Sequence, residues 1–327
     1  MHKPARSHGA YIESMKQRIA LGCMGMSGVY GKTDDTQSIA LIHAAIERGV
    51  TFLDTGDHYG SGHNELLIGK AIADRRDKVE LSVKFGGLLG ADRSWGGVDC
   101  RPAALKAFLA YSLVRLGTDH VDVYRPARLD PAVPIEDTIG AIADMVKAGF
   151  VKRIGLSEVG PETIRRAAKV HPIADLQIEY SIATREPEDA IFPVLKELGI
   201  EATLYGVFSR GLLNASPIGA GDPRAHLPRF SGENGVANAR LAAGLAALAE
   251  RWNMTPSQLA LGWVLGKEPG FTPTLGMRRM AQLDEALGAR ALVATEIAEV
   301  EAIFPRGAVA GTRYPAAQMA FLDSEKR

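Results

Sequence analysis

The 327-residue chain has little cysteine, no net charge and no long apolar run, and each shortage excludes a class of protein. Two cysteines, Cys23 and Cys100, are too few for a disulfide framework or a cysteine-rich zinc site. Lys and Arg number 38, as do Asp and Glu, so no overall field attracts nucleic acid or an anionic membrane. No stretch has the length and apolarity of a transmembrane helix.

The segment from Met1 to Gln17 is polar and lacks the apolar core of a signal peptide. We therefore expect a cytoplasmic protein with neither nucleic acid nor membrane as a partner. Hydrophobic residues make up 46% of the chain, enough for a large core. The sequence predicts an N-terminal tail over residues 1–17 and one folded domain over residues 18–327.

Eight short runs rich in Val, Ile, Leu and Phe have the composition of strands. They are mostly apolar rather than alternating, which is typical of strands buried on both faces. The predicted strands are Arg18–Gly22, Thr51–Asp54, Val79–Val83, Val121–Tyr124, Arg153–Ser157, Leu176–Glu179, Ala202–Tyr205 and Phe271–Leu275.

Helical patterns separate these runs, several of them ending at Gly. The predicted helices are Thr36–Arg48, Pro102–Leu116, Ile135–Ala148, Pro161–Val170, Asp189–Leu198, Ala237–Trp252 and Ser257–Leu265. The alternation indicates an α/β fold, a single-domain (β/α)₈ TIM barrel. The alternative, an open doubly wound sheet, lacks its G-x-G-x-x-G marker after the first strand. One long irregular stretch, residues 214–235, is expected to form a loop over the site.

Polar residues at the ends of the predicted strands are candidates for chemistry, because barrel active sites lie at that face. Asp54, Tyr59 and Lys84 converge there. A Lys ammonium near a Tyr stabilises the tyrosinate, and an Asp keeps the Lys charged and oriented. Such a Tyr can donate a proton to a carbonyl oxygen. The alternative is an Asp–Lys ion pair that only stabilises the barrel.

Several segments, in the same order, resemble the aldo-keto reductases between about Arg18 and Leu292. The matching segments are FLDTGDHYG (Phe52–Gly60), SVKFG (Ser82–Gly86), IGLSE (Ile154–Glu158), LQIEYS (Leu176–Ser181), YGVFSRG (Tyr205–Gly211) and LGMRRMAQLDEALG (Leu275–Gly288). The resemblance implies a (β/α)₈ barrel that reduces aldehydes or ketones with NADP(H), a small-molecule carbonyl compound being its substrate.

The resemblance also implies a role for each matching residue. Tyr59 is the general acid, Lys84 lowers the pKa of Tyr59, and Asp54 is the partner of Lys84. Ser157 and Gln177 bind the nicotinamide carboxamide, and Tyr205 stacks on the ring. Arg278 approaches the 2′-phosphate, the alternative being a solvated arginine. The backbone of Gly206, Val207, Phe208, Ser209, Arg210 and Gly211 passes the pyrophosphate. Gln282 faces the adenosine half, and Gly276 is a further implied cofactor-binding residue.

Three positions depart from the family pattern. Ala127 stands where the family usually has a His that orients the carbonyl, and Arg125 is a candidate for the missing donor. The alternative for Arg125 is a salt bridge inside the barrel. Glu158 replaces an Asn and could accept a hydrogen bond from the carboxamide NH₂. Ala286 stands where an Asn often meets the adenine.

The segment DVYRPARLDP, Asp122–Pro131, resembles the pyridoxal reductase branch, so pyridoxal is one expected substrate. Bulky or fused-ring xenobiotic ketones are an alternative. A second alternative is an NADP(H)-binding regulatory subunit similar to the potassium-channel β-subunits. His58, Trp95 and Met26 are further candidates for the pocket wall. The alternatives are exposure on a loop for His58, packing on the barrel rim for Trp95 and packing in the core for Met26. We expect no metal site, and the sequence does not specify an oligomeric state.

Overall fold

Eight parallel strands close into a barrel in the order β1-β10-β9-β8-β7-β6-β3-β2. The computed structural model describes residues 19–29, 31–219 and 221–326, so the predicted tail and Arg18 lie outside the described residues. A separate antiparallel hairpin, β4–β5, follows the third barrel strand. The strands are β1 (Ala20–Gly22), β2 (Phe52–Gly56), β3 (Glu80–Phe85), β4 (Gly87–Leu89), β5 (Trp95–Val98), β6 (Val121–Pro126), β7 (Val151–Ser157), β8 (Ile173–Glu179), β9 (Glu201–Tyr205) and β10 (Thr272–Gly276).

Helices connect the strands and pack around the barrel. They are α1 (Asp35–Glu47), α2 (His63–Ile72), α3 (Pro102–Leu116), α4 (Ile135–Lys147), α5 (Pro161–Val170), α6 (Pro187–Leu198), α7 (Gly232–Arg251), α8 (Pro256–Lys267), α9 (Met280–Leu287), α10 (Ala294–Ile303) and α11 (Ala316–Met319). Within the described part of the chain, no helix combines the length and apolarity needed to cross a membrane.

The predicted (β/α)₈ fold and all eight predicted strands are confirmed, with ends that differ by a few residues. The prediction missed α2, whose inward face includes the buried polar residues Asn64 and Glu65. It also missed α9, α10, α11 and the β4–β5 hairpin. The predicted loop over residues 214–235 is too long, because α7 already begins at Gly232.

The barrel interior carries a buried ion pair below the strand ends. Arg125 is 0% exposed, and its Nη2 lies 3.0 Å from Asp175 Oδ2. The same guanidinium donates to Ser82 Oγ at 2.9 Å and to Thr203 Oγ1 at 3.1 Å. A Cβ on Gly155 would lie 2.7 Å from Asp175 Oδ1 and 3.2 Å from Arg125 Nε. The missing side chain at Gly155 therefore makes room for this ion pair.

We expect Gly155→Ala to lower the free energy of unfolding by roughly 1–3 kcal/mol, because the added methyl must displace a buried carboxylate held in an ion pair. The matched control is Gly140→Ala in α4, where an added Cβ meets nothing within 4 Å. Denaturant unfolding should show the control unchanged or slightly stabilised. Equal stability of both variants would contradict the interpretation of Gly155.

Candidate active site

A buried ion pair lies at the carboxyl ends of β2 and β3. Lys84 Nζ lies 2.6 Å from Asp54 Oδ2, and both residues are about 5% exposed or less. Parallel pairing sets Asp54 beside Ser82, whose hydroxyl donates to Asp54 Oδ1 at 3.1 Å. Burial is the largest influence on the Lys84 ammonium and lowers its pKa, while the charge and hydrogen bond of Asp54 oppose that effect.

Tyr59 faces this ion pair from the loop after β2. The centroid of its ring lies 5.3 Å from Lys84 Nζ. The loop is held by Asn64, which accepts from Thr55 Oγ1 at 2.7 Å and donates to Cys23 O and Ser27 Oγ at 2.8 Å. The structure therefore brings together the three residues that the sequence assigned to proton transfer.

Gln177 and Ser157 pair in register on adjoining strands β8 and β7. Gln177 Nε2 donates to Asp54 Oδ1 at 2.9 Å, which leaves its Oε1 as an acceptor on the other side of the amide. Ser157 Oγ is buried and has no hydrogen-bond partner among the described residues. A buried hydroxyl in that state is costly, so a polar ligand group is the expected partner.

Glu158, expected from the sequence as an acceptor for the carboxamide, is committed to the protein itself. It is 0% exposed and has a left-handed backbone with φ of 52°. Its Oε1 accepts from Glu179 N at 2.9 Å, Tyr205 Oη at 2.8 Å and Arg313 Nη1 at 3.1 Å. Its Oε2 accepts from Arg313 Nη2 at 2.8 Å and Ser324 Oγ at 2.6 Å.

The electrostatics agree with this geometry. Burial alone would raise the pKa of Glu158, but the charge and hydrogen bonds of Arg313, with contributions from Arg128 and Ser324, lower it to about 2. Burial and the Glu158 carboxylate raise the pKa of the Tyr205 phenol well above its usual value. Tyr205 therefore stays a neutral donor to an ionised Glu158.

The segment from Gly206 to Gly211 has a left-handed backbone at Gly206 and Gly211, which glycine adopts readily, and also at Ser209 (φ of 45°) and Arg210 (φ of 56°), where it is strained. A Cβ on Gly206 would lie 2.8 Å from Glu179 Cγ. Such strain in ordered loops is found mainly at functional sites. Val207 and Ser209 are buried, and Phe208 packs against the core.

The long loop before α7 contacts this segment. Arg224 Nη1 donates to Arg210 O at 2.9 Å, and Arg229 Nη1 donates to Ser209 Oγ at 3.1 Å. Arg229 is buried and also lies 3.6 Å from Glu179 Oε1. The loop is therefore fixed against the predicted pyrophosphate segment.

The predicted adenosine-side residues lie together after β10. Gln282 Oε1 accepts from the backbone N of Arg278 at 2.9 Å and of Arg279 at 3.1 Å. Gly276 and Arg278 are exposed. Gln282 thus holds the turn from which the Arg278 side chain extends.

The other sequence candidates are divided between the mouth and the core. His58 lies with its ring centroid 4.7 Å from that of Tyr59 and 6.1 Å from that of Trp95, which is 39% exposed. Asp57 Oδ1 lies 3.1 Å from His58 Nδ1. Met26 is fully buried in the core cluster.

Arg125 and Ala127 differ in depth. Of the two alternatives for Arg125, the structure shows the salt bridge inside the barrel, so its enclosed guanidinium does not face the mouth. Ala127 is buried, and its N donates to Phe85 O at 2.8 Å, one residue beyond Lys84.

Three residues of this region have no role predicted from the sequence: Arg313, Tyr314 and Arg128, although Arg128 is among the polar residues that follow the fourth predicted strand. Arg313 and Tyr314 come from the C-terminal segment, and Tyr314 Oη lies 3.2 Å from Tyr205 Oη. The guanidinium carbon of Arg210 lies 4.2 Å from the centroid of the Tyr314 ring. Arg128 is half-buried beside Ala127 and interacts electrostatically with Tyr59, Tyr205 and Tyr314. No local pattern in the sequence links residues so far apart.

Comparison with known proteins decides the family. The model of the aldo/keto reductase family matches residues 18–304. A Glycine max protein named probable aldo-keto reductase 1 is 37% identical over 308 residues, which are 91% of this chain and 88% of the relative. The chain belongs to the aldo/keto reductase family.

Solved structures agree with this assignment. An aldo-keto reductase from Bacillus halodurans, in its holo form, is 27% identical with a TM-score of 0.74, covering 88% of this chain and 92% of that one. The glycerol dehydrogenase of Gluconobacter oxydans, 24% identical, shares the fold with a TM-score of 0.80, covering 91% of this chain and 93% of that one.

The residues of this aldo/keto reductase fit a nicotinamide cofactor. The Ser157 hydroxyl, which has no hydrogen-bond partner among the described residues, suits a carboxamide. Gly206, where a Cβ would contact Glu179, leaves the backbone there free of a side chain. Among the described residues, no group of three or more His, Cys, Asp or Glu side chains is placed to hold a metal ion.

The Glu158–Arg313 pair predicts acid-dependent stability. A pKa of about 2 against an ordinary 4.5 means that the contribution is complete above pH 4.5 and is lost as the pH falls toward 2. The loss is about 3 kcal/mol. Glu158→Gln should flatten this dependence and destabilise the protein at neutral pH by roughly 3 kcal/mol, because Arg313 loses the fully buried one of its three carboxylate partners, Glu158, Glu179 and Glu325.

Chemical unfolding at a series of pH values measures both effects. The control is Glu197→Gln, which breaks an exposed pair with Arg165 and should change nothing measurable. An acid slope in Glu158→Gln equal to that of the parent would contradict the assignment of that slope to Glu158.

Proposed function

We propose that this protein reduces an aldehyde or ketone to an alcohol with NADPH, and that Tyr59 donates the proton. The observation that carries the proposal is Lys84, whose Nζ lies 2.6 Å from Asp54 and 5.3 Å from the Tyr59 ring centroid at the barrel mouth. When bound, NADPH supplies the hydride that reaches the carbonyl carbon.

In the proposed reaction, the side chains at the barrel mouth would transfer one proton to the substrate. The Tyr59 phenol passes its proton to the carbonyl oxygen, and the Lys84 ammonium stabilises the phenolate that remains. Asp54 keeps Lys84 charged and in place, and Ser82 and Gln177 fix the second oxygen of Asp54. This chain of contacts supports the proposal that Tyr59 is the residue that donates the proton.

The proposed cofactor contacts follow the strand ends around the barrel. Ser157 Oγ and Gln177 Oε1 would bond the carboxamide, and Tyr205 would form the wall behind the ring. The backbone from Gly206 to Gly211 would hold the pyrophosphate, and Arg278 would meet the 2′-phosphate, since a guanidinium matches phosphate geometry.

We infer a bulky planar carbonyl substrate, with pyridoxal as the first compound to test. Ala127 gives the mouth more room than a His would. The exposed Trp95 and the neighbouring His58 form an aromatic wall beside Tyr59. Fused-ring ketones suit the same wall, and a panel that includes both classes distinguishes them.

Tyr59→Phe should reduce kcat by about 10²–10⁴-fold, since the variant keeps the ring and loses the proton donor. Steady-state NADPH oxidation measures the rate, and a fluorescence titration should show NADPH binding unchanged. The exposed Tyr111→Phe serves as control and should match the parent. Retention of most of the rate in Tyr59→Phe would rule out Tyr59 as the donor.

Arg278→Ala should raise the Kd for NADPH roughly tenfold or more, because a charge-assisted hydrogen bond is lost. The Kd for NADH, which has no 2′-phosphate, should change little. Titrations with both cofactors, with Arg251→Ala as control, measure this difference. Equal weakening of the two cofactors would be incompatible with a 2′-phosphate contact.

A further inference from the structure

We propose that Arg128 donates a hydrogen bond to the carbonyl oxygen beside Tyr59, the role for which the resemblance expects a His at position 127. The inference rests on the proposed function and names a further catalytic residue for it. Ala127 has no donor in its side chain, yet an oxygen that gains negative charge during hydride transfer requires one.

The backbone around Arg128 is fixed next to the catalytic lysine. Pro126 pairs in register with Phe85, directly after Lys84, and Ala127 N donates to Phe85 O at 2.8 Å. Cys100 N donates to Asp130 Oδ2 at 3.0 Å. These bonds on both sides of Arg128 hold its Cα at the mouth, so the side chain starts from a defined position.

The Arg128 guanidinium is not committed to a carboxylate. Among the described residues no Asp or Glu oxygen forms a salt bridge with it, whereas Arg125 is paired with Asp175 and Arg313 with Glu158. Its hydrogen bond within the described chain runs from Nη1 to Ala127 O at 2.7 Å. A guanidinium has five N–H donors, so several remain for a ligand.

The electrostatic surroundings of this cation include groups of the candidate site. Burial lowers the pKa of the Arg128 guanidinium, but the nearby Tyr205, Tyr314, Glu158 and Tyr59 raise it overall. Arg128 in turn contributes to lowering the pKa of the Lys84 ammonium, after burial. The Glu158 carboxylate, which also attracts it, is shielded by its own bonds to Arg313. Arg128 thus brings a positive charge to the barrel mouth, just beyond β6 and next to the strand that carries Lys84.

The other nearby donors fit this role less well. Arg125 is enclosed below the mouth, and His58 has its Nδ1 beside Asp57. In the proposed step the hydride forms the new C–H bond, and the phenol proton of Tyr59 forms the O–H bond. Arg128 keeps all its protons and stabilises the oxygen while its charge develops.

The test compares Arg128→Met and Arg128→Lys with the parent on two substrates, benzaldehyde and 4-carboxybenzaldehyde. We expect Arg128→Met to lower kcat by about 10²–10³-fold on both, since the lost interaction is with the carbonyl oxygen that they share. Arg128→Lys keeps the positive charge but lacks the planar guanidinium, so its kcat should lie between those of the parent and Arg128→Met. Arg166→Met, on an exposed surface, is the matched control.

A rescue variant distinguishes a catalytic role of Arg128 from a purely structural one. Adding Ala127→His to Arg128→Met should recover at least about tenfold in kcat, since an imidazole donor is again present. Unchanged NADPH affinity in every variant checks that the fold is intact.

Three outcomes would overturn the proposal. They are parent-like rates in Arg128→Met, a loss confined to the carboxylate-bearing substrate, and a loss with no recovery on adding Ala127→His. If any one of these occurs while Tyr59→Phe shows its expected loss, only the role of Arg128 fails. If the parent reduces no carbonyl compound at all, the proposed function fails as well.

Discussion

A charge buried at the mouth of a barrel must have a fixed counter-charge, and the Asp54–Lys84 pair meets that constraint. The strand register sets the two residues on neighbouring strands, and Ser82 and Gln177 bond the oxygen of Asp54 that Lys84 does not use. Below them, Arg125 and Asp175 form a second pair that Gly155 makes room for. The position of Lys84 beneath Tyr59 depends on this layered network.

A second constraint acts across the far side of the mouth. The five hydrogen bonds to Glu158 join β7, β8, β9 and the C-terminal segment at one buried carboxylate. Tyr205 is held by one of these bonds, and its hydroxyl also lies 3.2 Å from the hydroxyl of Tyr314. The two networks leave Ser157 and Arg128 as groups available to ligands, and the proposed chemistry uses both.

The fold was predictable because strands buried on both faces are apolar runs, and eight of them alternate with helical patterns. That Asp54, Tyr59 and Lys84 lie close together was predictable, because each lies near the carboxyl end of β2 or β3 or in the loop after β2. The Glu158–Arg313 ion pair was not predictable from the sequence, since the two residues are 155 positions apart. In addition, nothing in the sequence distinguishes a buried Glu from a solvent-exposed one. Strand alternation suggested Arg125 as the mouth donor, but that residue lies deeper. Because β6 ends at Pro126, alternation gave no prediction for Arg128.

The most direct test of the proposed carbonyl reduction is to follow the hydride of NADPH into the product. The protein is incubated with NADPH deuterated at the transferring position, and with pyridoxal, bulky ketones and simple aldehydes in turn. Products are then analysed by mass spectrometry. We expect saturable turnover of at least one carbonyl compound, with deuterium on the new carbinol carbon. Tight NADPH binding without deuterium transfer to any of them would contradict it and favour a regulatory cofactor-binding protein.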